Sequence, residues 1–380
     1  MSRPLHTTAR RDLRGGCGAN THFCFNPSVY AVGPTPNPHI VKSLIALKVG
    51  YVRERWWPRN VGQQAAFATL TDAGIGLYLF IGDIGYTPAQ ARADVALLAQ
   101  SPIASSVVGV CGPNEPNAHG GTTWPARVTA IQQAIHTEVF NQPRLANHVA
   151  VVGTALKHNV PNIDADYRAV AAAGIQRWCD VGDFHFYSGS VGPSLNAAEA
   201  DRAGQAYGRL PLWHSETGWT ADDTDEHVAA RFSVEALLRN HHSGIVGTML
   251  YEFADESQYV QGREGMFGLM HPVEKKPAYR SIEKLLATAD GSQGFPGWLA
   301  RFDKGVESDT RVVVTSEGGG KWTVYLLRGQ QDSVTLVLPP GLRASVGSLT
   351  TGTKGNRRYP IKMTQTLTTV QVTTKASPSQ

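Results

Sequence analysis

With 380 residues, 42% apolar and 17% charged, the chain can bury a substantial core in one large domain or two ordinary ones. A net charge of +4 is small for this length, and no basic stripe interleaved with aromatics occurs, so nucleic acid is not an expected partner. No run reaches the ~18 apolar residues of a membrane span, so neither is a membrane. Residues 1–16, "MSRPLHTTARRDLRGG", are basic with no apolar core behind them. They read as a flexible arm and not as a secretory signal. The expected location is inside the cell, or outside it by a route without a signal, such as phage lysis. The four cysteines, Cys17, Cys24, Cys111 and Cys179, lack metal-type pairing. A Cys17–Cys24 bridge would depend on the turn between them, and packed thiols are the preferred reading.

From 17 to 290, short β-rich runs alternate with helical patterns. The strand candidates are "GCGANTHF", "VGYVRERW", "GLYLFIG", "SSVVGVCG", "HVAVVGTAL", "VGDFHFYS", "LPLWHSE" and "VGTMLYEF". Segments such as "PAQARADVALLAQ" and "WPARVTAIQQAIHTEVF" repeat apolar residues every three or four positions, as amphipathic helices do. Gly74, Gly174 and Gly244 stand at helix-stop positions. Eight strand–helix units within this length predict a (β/α)8 barrel of the α/β class. A doubly wound sheet would carry a Gly-rich phosphate loop after its first strand, and none is present. Residues 291–376 change texture to short strands with Gly, Pro and Asn turns, predicting a small antiparallel, sandwich-like β domain before a "KASPSQ" tail.

In such a barrel the functional side chains project from the C-terminal strand ends. The fourth strand leads into Asn114-Glu115, the seventh into Glu216, and the eighth into Tyr251-Glu252. His185 and Tyr187 are two apart on the sixth strand and share a face. The second carries Arg53, and the first ends near Asn20 and His22. Glycosidic-bond cleavage needs two carboxyl groups, one protonating the leaving oxygen and one attacking the anomeric carbon or activating water. Glu115 and Glu216 fit that pair. Asn114 is placed to bond a sugar hydroxyl, Arg53 to keep Glu216 ionised, and Tyr187 to orient it. Arg55 shares a face with Arg53; the inner one is the candidate.

Several of these runs resemble clan A glycoside hydrolases in the correct order. "VGVCGPNEPN", "PLWHSETGW" and "GTMLYEFADE" resemble the clan's strand-4, strand-7 and strand-8 motifs; "GYVRERWW" and "VGDFHFYSG" resemble strands 2 and 6. The likeness covers roughly residues 17–287, closest to retaining cellulase-like and xylosidase-like members. It implies a retaining enzyme with Glu115 as acid/base and Glu216 as nucleophile. Two departures stand out. Leu250 or Tyr251 occupies the place of a strand-8 Trp, and no His follows strand 3, where "IGDIGY" stands.

The expected function is hydrolysis of β-glycosidic bonds in a polysaccharide or oligosaccharide, endo-acting because several tryptophans near strand ends, Trp57 and Trp219 among them, suit an extended cleft. Arg53, Asn114, His185, Tyr187, Tyr251, His22, Trp57 and Trp219 are the candidate substrate-binding residues. Neither cofactor nor metal is expected, since no His, Cys or Asp spacing matches a ligand set. The competing function is an inactive barrel that binds carbohydrate, for instance in a virion tail. A barrel lyase or aldolase would need a Schiff-base Lys or a metal at a strand end, and these strands offer neither.

Overall fold

Eight strands form one parallel sheet: β1 (Cys17–Asn20), β2 (Tyr51–Trp56), β3 (Gly76–Ile81), β4 (Val107–Cys111), β5 (Ala150–Val152), β6 (Gly182–His185), β7 (Leu212–Thr217) and β8 (Gly247–Leu250). The sheet order is β5-β4-β3-β2-β1-β8-β7-β6, and every pairing is parallel. A parallel bridge between Val152 and Val181 joins its two ends, with the Gly153 N–H donating to Val181 O at 2.7 Å. The result is the (β/α)8 barrel expected from the sequence. In this computed structural model the described residues are 13–288, apart from 33, 119–120, 159 and 194–195, together with eight strands between Arg301 and Thr374. Of the flexible arm expected over residues 1–16, residues 1–12 lie outside them, as does the tail from 375, while Leu13 is buried and Gly16 O accepts from the Thr248 N–H at 2.8 Å.

A helix follows each strand: α1 (Pro38–Leu47), α2 (Val61–Asp72), α3 (Pro88–Gln100), α4 (Trp124–Asn141), α5 (Ile163–Ala172), α6 (Asn196–Ala206), α7 (Glu226–His242) and α8 (Pro277–Thr288). Local chemistry sets their ends. Asn37 accepts from His39 N ahead of Pro38, and Thr87 and Gln90 form a capping box around Pro88. Each arrangement satisfies N–H groups that the first helical turn leaves open. Gly74, Gly174 and Gly244 take φ of 81°, 80° and 80°, the left-handed conformation that stops a helix at little steric cost.

The barrel interior is packed. Tyr51, Tyr78, Cys111, Val152, Val181, Trp213 and Met249, contributed by successive strands, form one buried cluster. Tyr78 stacks on Trp213 with centroids 5.0 Å apart. Gly109 makes room for it, because a Cβ there would sit 2.9 Å from the Tyr78 ring. Such filling closes the barrel below its C-terminal face and leaves the polar residues at that rim. All four cysteines are free and buried. Burial alone pushes the Cys17 thiol up to about 12.

One compact unit holds Gly15–Glu283 and another Lys284–Gln380. In the second, Arg311–Gly318, Lys321–Leu327, Leu367–Thr374, Leu342–Val346 and Leu349–Thr350 form a five-stranded antiparallel sheet. Arg301–Phe302, Ser333–Val337 and Arg358–Lys362 form a three-stranded one. Val370 and Val372 are buried while Thr369 and Gln371 between and beside them are exposed, the alternation of a strand with one covered face.

Candidate active site

Glu115 stands four residues beyond β4. Its backbone takes φ of 44°, and its N–H donates to Ala155 O at 3.2 Å, tying the loop to the segment after β5. Pro116 is buried and opens a single helical turn. These constraints aim the glutamate across the barrel mouth. Its Oε1 lies 2.9 Å from Nδ1 of His185, the last residue of β6.

Glu216 rises from β7 and is 6% exposed. Arg53 Nη1 donates to its Oε1 at 2.5 Å, and the Tyr187 hydroxyl donates to its Oε2 at 2.7 Å. His185 Nδ1 is 3.4 Å from the same Oε2. Burial pushes this carboxyl up, but His185, Arg53 and the Tyr187 hydroxyl outweigh it and hold Glu216 below the ordinary carboxylate value. Tyr187, half-buried beside Glu216, is held well above its own ordinary value by desolvation and by that carboxylate, and so keeps its proton as a donor. Oxygens of Glu115 and Glu216 lie within 4.8 Å of each other, with the His185 nitrogen between them.

Arg53 organises the floor. Besides Glu216, it donates to Asn20 Oδ1 at 2.9 Å and to Asn114 Oδ1 at 2.5 Å. Asn114 thereby turns its oxygen to the arginine, and none of these bonds uses its amide nitrogen. The Arg53 guanidinium also lies 5.0 Å from the Phe80 ring centroid, within cation–π range. Arg55 sits apart, bonded to Asp83 and stacked on Trp57.

A cavity of about 580 Å³ opens above these groups, lined among others by Asn20, His22, Arg53, Asn114, Glu115, Tyr187, Glu216 and Tyr251. At the strand-8 position Leu250 is buried, whereas Tyr251 faces the cavity, edge-on to Tyr187 and Phe267. His185 is fully buried beneath it. The two tryptophans do not join them. Trp219 is 5% exposed and packs on Phe232, with its indole N–H donating to Gly189 O. That packing takes up the ring face expected to stack on a sugar. Trp57 is exposed at the rim but lines no part of this cavity, and Arg55 covers its ring. The exposed aromatics that do line it are Phe25 and Tyr259, from loops without strand periodicity.

A second triplet borders the same cavity. His22 Nδ1 lies 2.5 Å from Glu256 Oε2 and 3.1 Å from Glu252 Oε2. Glu252 is fully buried, and burial pushes it up to about 7 although the neighbouring His22 works the other way. Both triplets bring one imidazole and two carboxylates close enough to hold a cation, but in the first Glu216 is already met by Arg53 and Tyr187. Sequence spacing does not show either group, because each draws on the ends of different strands and the loops beyond them.

No known family profile and no curated protein matches this chain. Solved structures do match. A family 39 glycoside hydrolase from the gut symbiont Bacteroides cellulosilyticus WH2 superposes with a TM-score of 0.62 at 13% identity, covering 97% of this chain and 82% of that one. An α-L-arabinofuranosidase from Thermotoga maritima in an arabinose complex gives 0.60 at 11% identity, covering 96% and 97%. A family 17 β-1,3-glucanosyltransferase from Rhizomucor miehei gives 0.51 at 17% identity, covering 71% and 97%. At these identities the likeness is one of fold.

Proposed function

We propose that this protein is a retaining glycoside hydrolase that cleaves β-glycosidic bonds in a polysaccharide or oligosaccharide, with Glu216 as nucleophile and Glu115 as acid/base. The observation that carries the reading is the approach of the two carboxylates to within 4.8 Å around one histidine. Double displacement uses a carboxyl separation of about 5–5.5 Å, whereas inversion leaves about 6.5–9.5 Å for a water. Glu216, held ionised by Arg53, attacks the anomeric carbon while Glu115 protonates the departing oxygen. Glu115 then takes a proton from the water that releases the sugar from Glu216. Asn114 offers its amide to a hydroxyl of the bound ring. Phe25 and Tyr259, exposed along the cavity, suit further sugars and support endo action on a chain. The three structural neighbours include β- and α-L-acting proteins, so the linkage rests on the resemblance of the motifs and not on fold.

The test is a reducing-end assay on a panel of plant, fungal and bacterial polysaccharides, with wild type and Glu216→Gln side by side. New ends from wild type, with turnover at least about 10³-fold lower in the variant, are expected. Product lengths separate endo from exo action. Near-normal turnover by Glu216→Gln would remove the nucleophile assignment. Binding of one glycan by both proteins without turnover would replace the enzyme with a carbohydrate-binding barrel.

A further inference from the structure

Below the catalytic pair runs a buried chain of hydrogen bonds that the mechanism above does not use. The Ser215 hydroxyl donates to Asp183 Oδ2 at 2.7 Å, and the Tyr78 hydroxyl donates to the same oxygen at 2.6 Å. The Phe184 N–H donates to Asp183 Oδ1 at 2.8 Å. Asp183 therefore receives three donors on two oxygens, the pattern of an acceptor-only carboxylate. His185 Nε2 lies 3.1 Å from Ser215 Oγ, and its Nδ1 lies 2.9 Å from Glu115 Oε1. Asp183, His185 and Ser215 are each fully buried.

The serine has one proton, and it is directed at Asp183. Its oxygen can then only accept from the imidazole, so Nε2 carries a hydrogen and Nδ1 turns to Glu115. We propose that Asp183 and Ser215 are positioning residues that fix this tautomer, so that His185 and Glu115 hold one exchangeable proton between them. The inference rests on the role given to Glu115 above. Two arrangements have the same proton count: acid Glu115 donating to neutral Nδ1, or imidazolium Nδ1–H donating to carboxylate Glu115. In both, Nε2–H donates to Ser215 and the serine O–H to Asp183. When the glycosidic bond breaks, the pair loses one proton and the leaving oxygen gains it. When water attacks the glycosyl–Glu216 ester, the pair recovers one proton and the remaining hydroxyl joins the sugar.

The groups facing this chain from the packed strands are Arg53, Tyr78, Cys111, His214, Tyr187 and Glu216. Burial, with the nearby His185, pushes His214 down to about 3, so it is neutral. Burial pushes Tyr78 well up and Cys111 up to about 12, so both keep their protons. The charged neighbours left are Arg53 and Glu216, and these bind each other. Burial holds the Asp183 carboxyl above its ordinary value, against His185, Arg53 and the Tyr78 and Ser215 hydroxyls. As the acceptor of three donors it is the remaining anion on the far side of His185, and it stabilises the protonated pair.

Ser215→Ala, Ser215→Thr and Asp183→Asn test this in two ways. The first uses aryl and alkyl or glycosyl β-glycosides of a sugar that wild type cleaves. A dinitrophenolate leaves without acid help and a sugar alkoxide does not. Ser215→Ala should lose on the order of 10–100-fold in kcat/KM on the glycosyl substrate and less than about 3-fold on the dinitrophenyl one. Its alkaline limb should move down by about one pH unit, because a stabilising anion is uncoupled from the protonated pair. Asp183→Asn should move it further, and Ser215→Thr should restore wild-type behaviour. Equal losses on both substrates with an unmoved limb would mean a merely structural role and overturn the proposal. The second readout needs no substrate. In imidazole ¹⁵N spectra, His185 of wild type should be Nε2-protonated, and Ser215→Ala should shift that resonance. An Nδ1–H tautomer in wild type would sink the relay. Absence of turnover by wild type on every glycoside would strike the parent reading instead, while the spectrum still decides the tautomer. If Asp183→Asn fails to fold, Ser215→Ala alone decides.

Discussion

The cleft holds two triplets of the same composition, Glu115–His185–Glu216 and His22–Glu252–Glu256, and they are built in opposite electrostatic senses. In the first, Arg53 and Tyr187 hand hydrogen bonds to Glu216 and pull it below the ordinary carboxylate value, although burial works the other way. In the second, His22 works the same way on Glu252, but burial outweighs it and pushes that carboxyl up to about 7. Burial and the two carboxylates act against each other on His22, and the carboxylates win, holding it well above its ordinary value. One triplet is thus arranged to keep an anion near neutral pH and the other to keep protons. What separates them is not composition but which fixed donors reach them.

The comparison breaks most sharply at Arg53. Arg53→Ala leaves Glu216 buried without its cation, and losing one partner of a buried pair costs roughly 3–5 kcal/mol, readable by urea denaturation. Arg53→Lys should rescue only part of this, because an ammonium cannot fork to Asn20, Asn114 and Glu216 at once.

The pH dependence of stability is the next test. A carboxyl held low in the folded state contributes stability above its unfolded value and loses it in acid, which is the behaviour expected from Glu216. Glu252 and His22 are both raised, so the folded state holds extra protons and their contribution is lost as pH rises through the folded values. For Glu252 the window runs from its unfolded value near 4.5 to about 7, worth on the order of 3 kcal/mol. Glu252→Gln should match wild type near pH 4.5 in denaturant titrations and become the more stable of the two near pH 8. A wild-type profile that rises steadily from pH 5 to 8 would contradict this account of the second triplet.

The smallest expected effect concerns the rim beside that triplet. Tyr259, whose N–H donates to Glu256 O at 2.7 Å, is exposed in the cavity. Tyr259→Ala should raise KM for a long substrate several-fold, a loss of about 1 kcal/mol of stacking. Trp57→Ala should leave KM within about twofold, because the Arg55 guanidinium already covers that ring.

Much of the barrel was legible because each strand and helix carries its own period, and strand ends are where side chains converge. Glu115, Glu216, Asn114, Arg53 and Tyr187 were found that way and meet around one cavity. His22 and Tyr251 reach it too. The tryptophans misled for a physical reason. A large aromatic after a strand end is equally able to pack on the next helix, and Trp219 does so against Phe232 of α7. Phe25 and Tyr259 lie in irregular loops where no period marks a direction. The relay had a partial signal: Asp183, His185 and Tyr187 alternate along one run, which puts all three on one face. Ser215, next to Glu216, points to the opposite side of β7 by the same rule, but a register shift between Phe184 and His185 breaks the simple pairing of β6 with β7. Single-strand alternation does not reveal such cross-strand meetings.

The left-handed backbone at Glu115 sets the acid/base role proposed for that residue against durability. A non-glycine residue at φ of 44° carries strain of about 1 kcal/mol or more that glycine does not. Glu115→Gly should therefore give a protein of equal or higher melting temperature that no longer donates a proton to the leaving group. A library ranked by heat resistance alone would drift toward glycine or asparagine at position 115, and so discard the side chain to which we assign the proton transfer.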